Sequence, residues 1–189
     1  EYTRRIEDLQ GMEKEYTGTL TFGAVTASYD LQKPVEAIPE PDALTPESIE
    51  TARLSMIGDF EQYPPIFSAV KVDGKRLYSI ARKGKDVELQ PRKVNISTFE
   101  LSPLHPVDPA EMRSEVRALS QKGNPIWQHP DYEDGQQSDF RIVCGKGTYI
   151  RSMAFDMGDR TGNGAYLSTL CRTRIGPFLL ENAWEVEDL

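Results

Sequence analysis

Cysteine and histidine are almost absent from this chain, with two of each among 189 residues. Cys144 and Cys171 are too few for a disulfide framework and read as reduced thiols, which points to a cytoplasmic protein. His105 and His129 have no second histidine or cysteine at ligand spacing, so no metal site is expected. The same scarcity removes the Ser–His–Asp and Cys–His arrangements of nucleophilic catalysis, because no histidine is placed to activate Cys144. No run of eighteen apolar residues occurs, so no membrane span is expected. The opening residues, Glu1 to Arg5, have no apolar stretch like that of a signal peptide, and they do not begin with Met. Cations are in deficit: 22 against 30 acids, a formal net charge of -8 and a pI of about 4.9. Taken alone, that balance argues mildly against nucleic acid as a partner.

The charge is segregated, however, and net charge says little about local patches. Lys71, Lys75, Arg76, Arg82, Lys83, Lys85, Arg92 and Lys93 crowd one stretch, and Arg141, Lys146, Arg151, Arg172 and Arg174 form a second set. The acids gather at 36–61 and 108–139. With 38% hydrophobic residues, the chain is long enough for one sizeable domain.

Periodicity predicts a helix end over 3–10 and a half-buried strand over 15–25, where Tyr16, Gly18, Leu20 and Phe22 alternate with threonines. Four prolines mark 33–46 as a loop. Thr45-Pro46 predicts a helix start, with Ile49, Ala52, Met56 and Ile57 on one face and Gly58 at its end. Ile66 to Val72 reads as a strand ending at the hairpin signal Asp73-Gly74. A short helix is expected over 77–83 and a strand over 92–101. Residues 103–138, rich in proline, glutamine, glycine and acid, read as an irregular insertion. Phe140 to Cys144 predicts a strand, followed by a tight turn and a helix that Thr148 would cap. Ala165 to Leu170 reads as helical, Arg174 to Leu180 as extended, and 183–189 as a final helical turn. Strands and helices mix without βαβ regularity, so the fold class is α+β.

Three blocks hold candidate chemistry. Lys14-Glu15-Tyr16 opens a strand, where core packing is the plain reading of the tyrosine. Tyr63 to Tyr78 interleaves aromatics with cations around a turn, which suits RNA: cations meet phosphates and aromatic faces stack on bases. A solvated basic hairpin with core aromatics is the competing reading. The third block is Cys144-Gly145-Lys146-Gly147-Thr148-Tyr149-Ile150-Arg151, with Leu170-Cys171-Arg172-Thr173-Arg174-Ile175-Gly176 downstream. Its glycines resemble a P-loop only superficially, since their spacing is wrong. Arg151 falls in the first turn of a helix, where the macrodipole disfavours a cation. A buried carboxylate or a phosphate would explain it better, with a plain surface arginine as the alternative.

Together, and in this order, these blocks resemble the TruB family of tRNA pseudouridine synthases over nearly the whole chain except about 103–138. The resemblance implies an α+β catalytic domain with a mixed, largely antiparallel sheet flanked by helices. It implies isomerisation of the uridine at position 55 in the tRNA T arm, on a base that has left the stack, with no metal and no organic cofactor. Tyr16 would contact the flipped base and help the closing proton transfer, Arg151 would pair with the catalytic aspartate, and Leu170 would pack beneath the site. Ser68, Lys71, Gly74, Arg76, Tyr78, Lys146, Thr148 and Tyr149 would meet the RNA. The family's aspartate lies in a Gly/Thr/Leu-Asp-Pro type motif upstream of the Tyr16 strand, and residues 1–15 contain none. Asp8 has no such neighbours, and Asp30 matches a different position, in a loop. Gly145 stands where relatives usually have serine. The expectation is therefore a partial catalytic domain over 1–189, lacking its first segment and a C-terminal PUA domain, and inactive alone. A catalytically dead module that binds or folds tRNA is the alternative.

Overall fold

The computed structural model describes residues 6–38, 40–66, 71–72, 75–76, 89–108 and 135–184. A short helix α1 (Ile6–Gly11) leads into β1 (Lys14–Phe22), and β2 (Ala24–Thr26) and β3 (Val35–Ala37) form a small hairpin. Helix α2 (Pro46–Leu54) precedes β4 (Gly58–Gln62); β5 (Lys71–Val72) and β6 (Lys75–Arg76) pair around residues 73–74. There follow β7 (Arg92–Leu101), β8 (His105–Pro106), β9 (Gln136–Cys144), α3 (Ile150–Thr161), β10 (Ala165–Ile175), β11 (Phe178–Leu179) and a 3-10 turn, Leu180–Asn182. The main sheet runs β11-β10-β1-β9-β7-β4, with β8 beside β9, and all its pairings are antiparallel. This is the α+β architecture expected from the sequence.

One face of the sheet is apolar because alternate residues point to it. Leu20 and Phe22 of β1, Phe140, Ile142 and Cys144 of β9, and Ile96 and Phe99 of β7 are buried there against the two longer helices. Helix α3 contributes Ile150, Met153, Ala154 and Met157, the i, i+3, i+4, i+7 stripe of an amphipathic helix. Helix α2 contributes Ile49 and Ala52; its start is fixed by a capping box between Thr45 and Ser48 with proline in the first turn. Each large side chain in this layer contributes about 1.5–3 kcal/mol by leaving water. Gly158 lets α3 lie on β10, since a Cβ there would stand 2.1 Å from the Ala165 nitrogen.

The opposite face is polar. Thr19 bonds to Asp139 and receives a bond from Thr169, and Thr21 bonds to Ser168. Arg141 spans Glu15 (2.8 Å) and Glu100 (3.2 Å), while Arg174 reaches Glu13 at 2.9 Å. At one end of this face, the β2–β3 hairpin brings Ala24, Leu31 and Val35 onto buried Tyr166.

Several elements depart from the sequence expectation. Residues 165–170 open β10, the long strand beside β1, instead of a helix. One register shift explains the misreading: Leu167 pairs with Leu20, Thr169 with Thr19 and Leu170 with Gly18, so Ser168 is extra. The extra residue moves the next apolar position from i+2 to i+3, which mimics helical spacing. Strand β3 lies inside the expected 33–46 loop, and Gly58, with φ +89°, opens β4 instead of ending a helix. Strands β8 and β9 trim both ends of the 103–138 irregular stretch. Thr148 does not cap α3: Tyr149 is the N-cap, and the Thr148 hydroxyl donates to the Gly145 carbonyl at 3.1 Å. The helix expected over 77–83 lies outside the described residues, as does most of the turn expected over 183–189.

Candidate active site

Helix α3 starts without a side-chain cap of its own. Gln62, at the end of β4 and 2% exposed, supplies the missing partners across the chain. Its Oε1 accepts from the Tyr149 N–H at 2.8 Å, and its Nε2 donates to the Tyr149 carbonyl at 3.2 Å. This anchoring fixes where Arg151 emerges, one residue into the helix. The Arg151 guanidinium reaches Asp30 Oδ2 at 3.3 Å and the Ser28 carbonyl at 3.4 Å.

Asp30 is itself held in a turn. Its Oδ1 accepts from the Ser28 hydroxyl at 2.6 Å and the Gln32 N–H at 3.0 Å. The Leu167 N–H donates to the Tyr29 carbonyl at 2.9 Å, tying the turn to β10. Tyr29 takes a left-handed conformation, φ 64°, and stacks on Phe155 of α3 with ring centroids 4.5 Å apart. A carboxylate therefore offsets the unfavourable placement of a cation at a helix start. The sequence could not announce this pair, because its members stand 121 residues apart. The only local sign was a serine two residues before an aspartate, a turn-forming spacing.

Tyr16 lies on the apolar face of β1, half-buried and packed against the core. Its cross-strand partners are Arg172 on β10 and Ile142 on β9. Burial pushes the Tyr16 phenol above the usual tyrosine range, and the Arg172 guanidinium across the strand partly offsets that. Leu170 stands opposite Gly18 on the same face and is 47% exposed. A Cβ on Gly18 would stand 2.2 Å from the Thr169 carbonyl oxygen and 2.8 Å from the Phe140 ring. The glycine therefore leaves room for the Phe140 ring against β1. Burial ends before Leu20 on β1 and after Ser168 on β10, leaving an open half that carries Tyr16, Leu170 and Arg172.

The remaining sequence candidates are more scattered. Lys146 is exposed in the turn after β9; Thr148 and Tyr149 lead into α3. Lys71 and Arg76 pair across the β5–β6 hairpin. Ser68, Gly74 and Tyr78 lie outside the described residues. Asp156 of α3 went unnoticed in the sequence. Burial raises its pKa to about 6, with Arg160 acting the other way and Asp159 adding to the rise. Its only sequence signal was an acid inside an otherwise apolar helical stretch. Among the described residues, no group of three His, Cys, Asp or Glu side chains is arranged to hold a metal ion, and no helix is long and apolar enough to cross a membrane.

A family model described as TruB family pseudouridylate synthase (N terminal domain) matches residues 1–126. The chain is 40% identical to the tRNA pseudouridine synthase B of Phocaeicola vulgatus, over 98% of its own length and 66% of that protein's. With the protein of the same name from Mycobacterium leprae it shares 37% identity, over 99% of its length and 52% of the relative's. The chain thus spans between about half and two thirds of the length of these relatives. Among solved structures it resembles one chain of a Cbf5–Nop10–Gar1 complex, with a TM-score of 0.55 at 22% identity, over 94% of this chain and 35% of that one. It likewise resembles a chain of an H/ACA RNP bound to a substrate RNA containing 2′-deoxyuridine, with a TM-score of 0.51 at 18% identity, over 94% of this chain and 33% of that one. At such identities the likeness is one of fold.

Proposed function

The chain belongs to the TruB family of pseudouridylate synthases, and on that premise we propose that it is the larger part of a catalytic domain that isomerises uridine 55 in the T arm of tRNA. In that reaction the bond from ribose C1′ to base N1 breaks, the base turns, and a bond from C1′ to C5 forms. The C5 proton is then lost and N1 regains one, so no oxidant, metal or organic cofactor is called for. The observation that carries this reading is the open half of the apolar face. Tyr16 and Leu170 offer a flipped pyrimidine an apolar floor there, beside a polar rim. The Tyr16 phenol, neutral at pH 7 like any tyrosine and pushed further up by burial, presents both a ring face and a hydroxyl for the closing proton transfer.

Arg151 takes its place through Asp30, which holds the guanidinium in one orientation. A second carboxylate arriving at the site would find that cation fixed, and the cation would keep it ionised despite partial burial. That carboxylate is the aspartate that starts glycosidic cleavage. No Gly/Thr/Leu-Asp-Pro type motif stands in residues 1–15, so we propose that these 189 residues alone do not make pseudouridine. Tritium release from tRNA labelled at uridine C5 tests both statements. The expected result is none from this chain, and release from a full-length relative that falls at least about a hundredfold on Tyr16→Ala, by loss of a group positioned on the reacting base. Release at ordinary rates from the 189 residues would overturn the second statement; an unaffected Tyr16 variant would overturn the first.

A second reading, a tRNA-binding or tRNA-folding module, is favoured by the cations of the open end, Lys146 and Arg172. Equal affinity of the chain for a T-arm hairpin and for a DNA duplex of the same length would reject it. The two free thiols fit a reducing, cytoplasmic setting.

A further inference from the structure

Arginines of the described sheet and its flanking helices are mostly tied to carboxylates. Arg53 binds Glu50, Arg141 binds Glu15 and Glu100, Arg151 binds Asp30, and Arg174 binds Glu13. Arg172 differs. It is exposed, like Arg92 and Arg160 it has no carboxylate ion-pair partner among the described residues, and, unlike them, its neighbour across the strand is Tyr16. An isolated arginine on a plain surface would call for no explanation. This one stands on the apolar face, opposite the tyrosine on which the base is proposed to lie and two residues from the exposed Leu170.

The strand geometry sets it there. At the register shift between Glu15 and Tyr16, Arg174 pairs with Glu15 and Arg172 with Tyr16, and Thr173 is the extra residue. Since Glu15 and Tyr16 point to opposite faces, the two arginines do so as well. Arg174 joins the ion pairs of the polar face, and the Thr173 hydroxyl donates to Glu15 Oε1 at 2.8 Å, closing that side. Arg172 is left on a side where the described cations Lys14 and Arg172 meet no acid. The Lys14 ammonium is turned to the Gln10 and Met12 carbonyls at 2.8 and 2.6 Å. A guanidinium carries five N–H donors in a planar fork, and the Tyr16 hydroxyl can occupy only one edge of it.

We propose that Arg172 is a two-sided positioning residue: one edge of its guanidinium holds the Tyr16 hydroxyl, and the other receives a backbone phosphodiester of the RNA strand that carries the target uridine. The inference rests on the function proposed above. It adds that base and phosphate of one strand are measured against each other through a single side chain. A nucleotide whose base lies on Tyr16 then brings its backbone within reach of the fork, and the phosphate in turn stiffens the ring that holds the base.

The test is the salt dependence of binding between the 189-residue chain and a T-arm hairpin RNA across a range of KCl concentrations. Loss of one phosphate contact lowers the log–log slope by about 0.7–0.9. Arg172→Ala is expected to do this, Arg172→Lys to keep the slope, and Arg174→Ala, on the opposite face, to keep it too. A second readout separates positioning from simple charge. In ultraviolet titration, with Tyr16→Phe identifying the Tyr16 signal, Arg172→Ala should move the Tyr16 midpoint to higher pH. An unchanged slope and an unchanged tyrosine midpoint in Arg172→Ala would overturn the proposal while the wild type still binds. Failure of the wild type to bind the hairpin at any salt would overturn it together with the reading it rests on.

Discussion

The two faces of one sheet are built on opposite rules. On the helix-covered face, Leu20, Phe22, Ile96, Phe99, Phe140 and Ile142 gain by leaving water, and that face then opens at one end into Tyr16, Leu170 and Arg172. On the other, hydroxyls and ions satisfy one another in place: Thr19 with Asp139 and Thr169, Thr21 with Ser168, Glu15 with Arg141 and Thr173. A self-satisfied polar face has little left to offer a ligand. An apolar face with an open end and an arginine without a carboxylate has groups still to be matched. The difference locates binding capacity by what the fold leaves unpaired, independent of the overall charge of the chain.

The sharpest way to break this comparison is to truncate each face. Phe22→Ala should cost about 3–5 kcal/mol, from lost transfer energy and a cavity, read as a lower urea midpoint. A polar-face change of equal cost would end the distinction. Next comes the partly buried ion pair. Arg151→Ala leaves Asp30 with only its turn partners and should cost about 2 kcal/mol, the range of hydrogen bonds to charged groups, with Asp30→Asn giving a similar loss in the same denaturant titration.

Asp156 sharpens the contrast from the helix side. Its folded pKa of about 6 lies above the usual aspartate value, so folding favours the protonated acid. The contribution of Asp156 to stability should therefore be most favourable below the unfolded pKa of about 4 and be lost as pH rises through about 6. Asp156→Asn should remove that slope and exceed the wild type by about 1–2 kcal/mol at pH 7.5. The gap should close at acid pH, and stability curves from pH 4 to 8 would show it. The smallest effect belongs to the polar face. Hydrogen bonds, first from Thr173 and then from Arg141, hold Glu15 below the ordinary glutamate range. What it contributes is present at neutral pH and is lost only as pH falls through its lowered pKa. Glu15→Gln should cost no more than about 1 kcal/mol at pH 7, with a shallower acid limb as its signature.

Alternation made β1, β7 and β9 legible before any coordinates, and Thr45-Pro46 fixed the start of α2. The start of strand β10 was not legible, because one extra residue, Ser168, spoils its period and places Leu167 and Leu170 at helical spacing. Strand β4 was hidden by its acids: Asp59 and Glu61 alternate with Phe60 and Gln62, while Gly58 suggested an ending. At the site, Tyr16, Arg151 and Leu170 came from motif resemblance, and the structure places them on β1, α3 and β10. Asp30, Gln62 and Arg172 matter through partners 121, 87 and more than 150 residues away, and no local pattern encodes a partner at that distance.

The extra residue at Thr173 has a further consequence. Arg172 and Arg174 are separated by an even step, so an uninterrupted strand would send both to one side. The irregularity gives them separate addresses. Deleting Thr173 would make Arg172 and Arg174 consecutive in a regular ladder, still on opposite faces, whereas one added residue in β1 opposite Thr173 would restore the even step and send both arginines to one side. Strand parity at this point works as a sorting device, set by the difference in length between β10 and β1 across the shift.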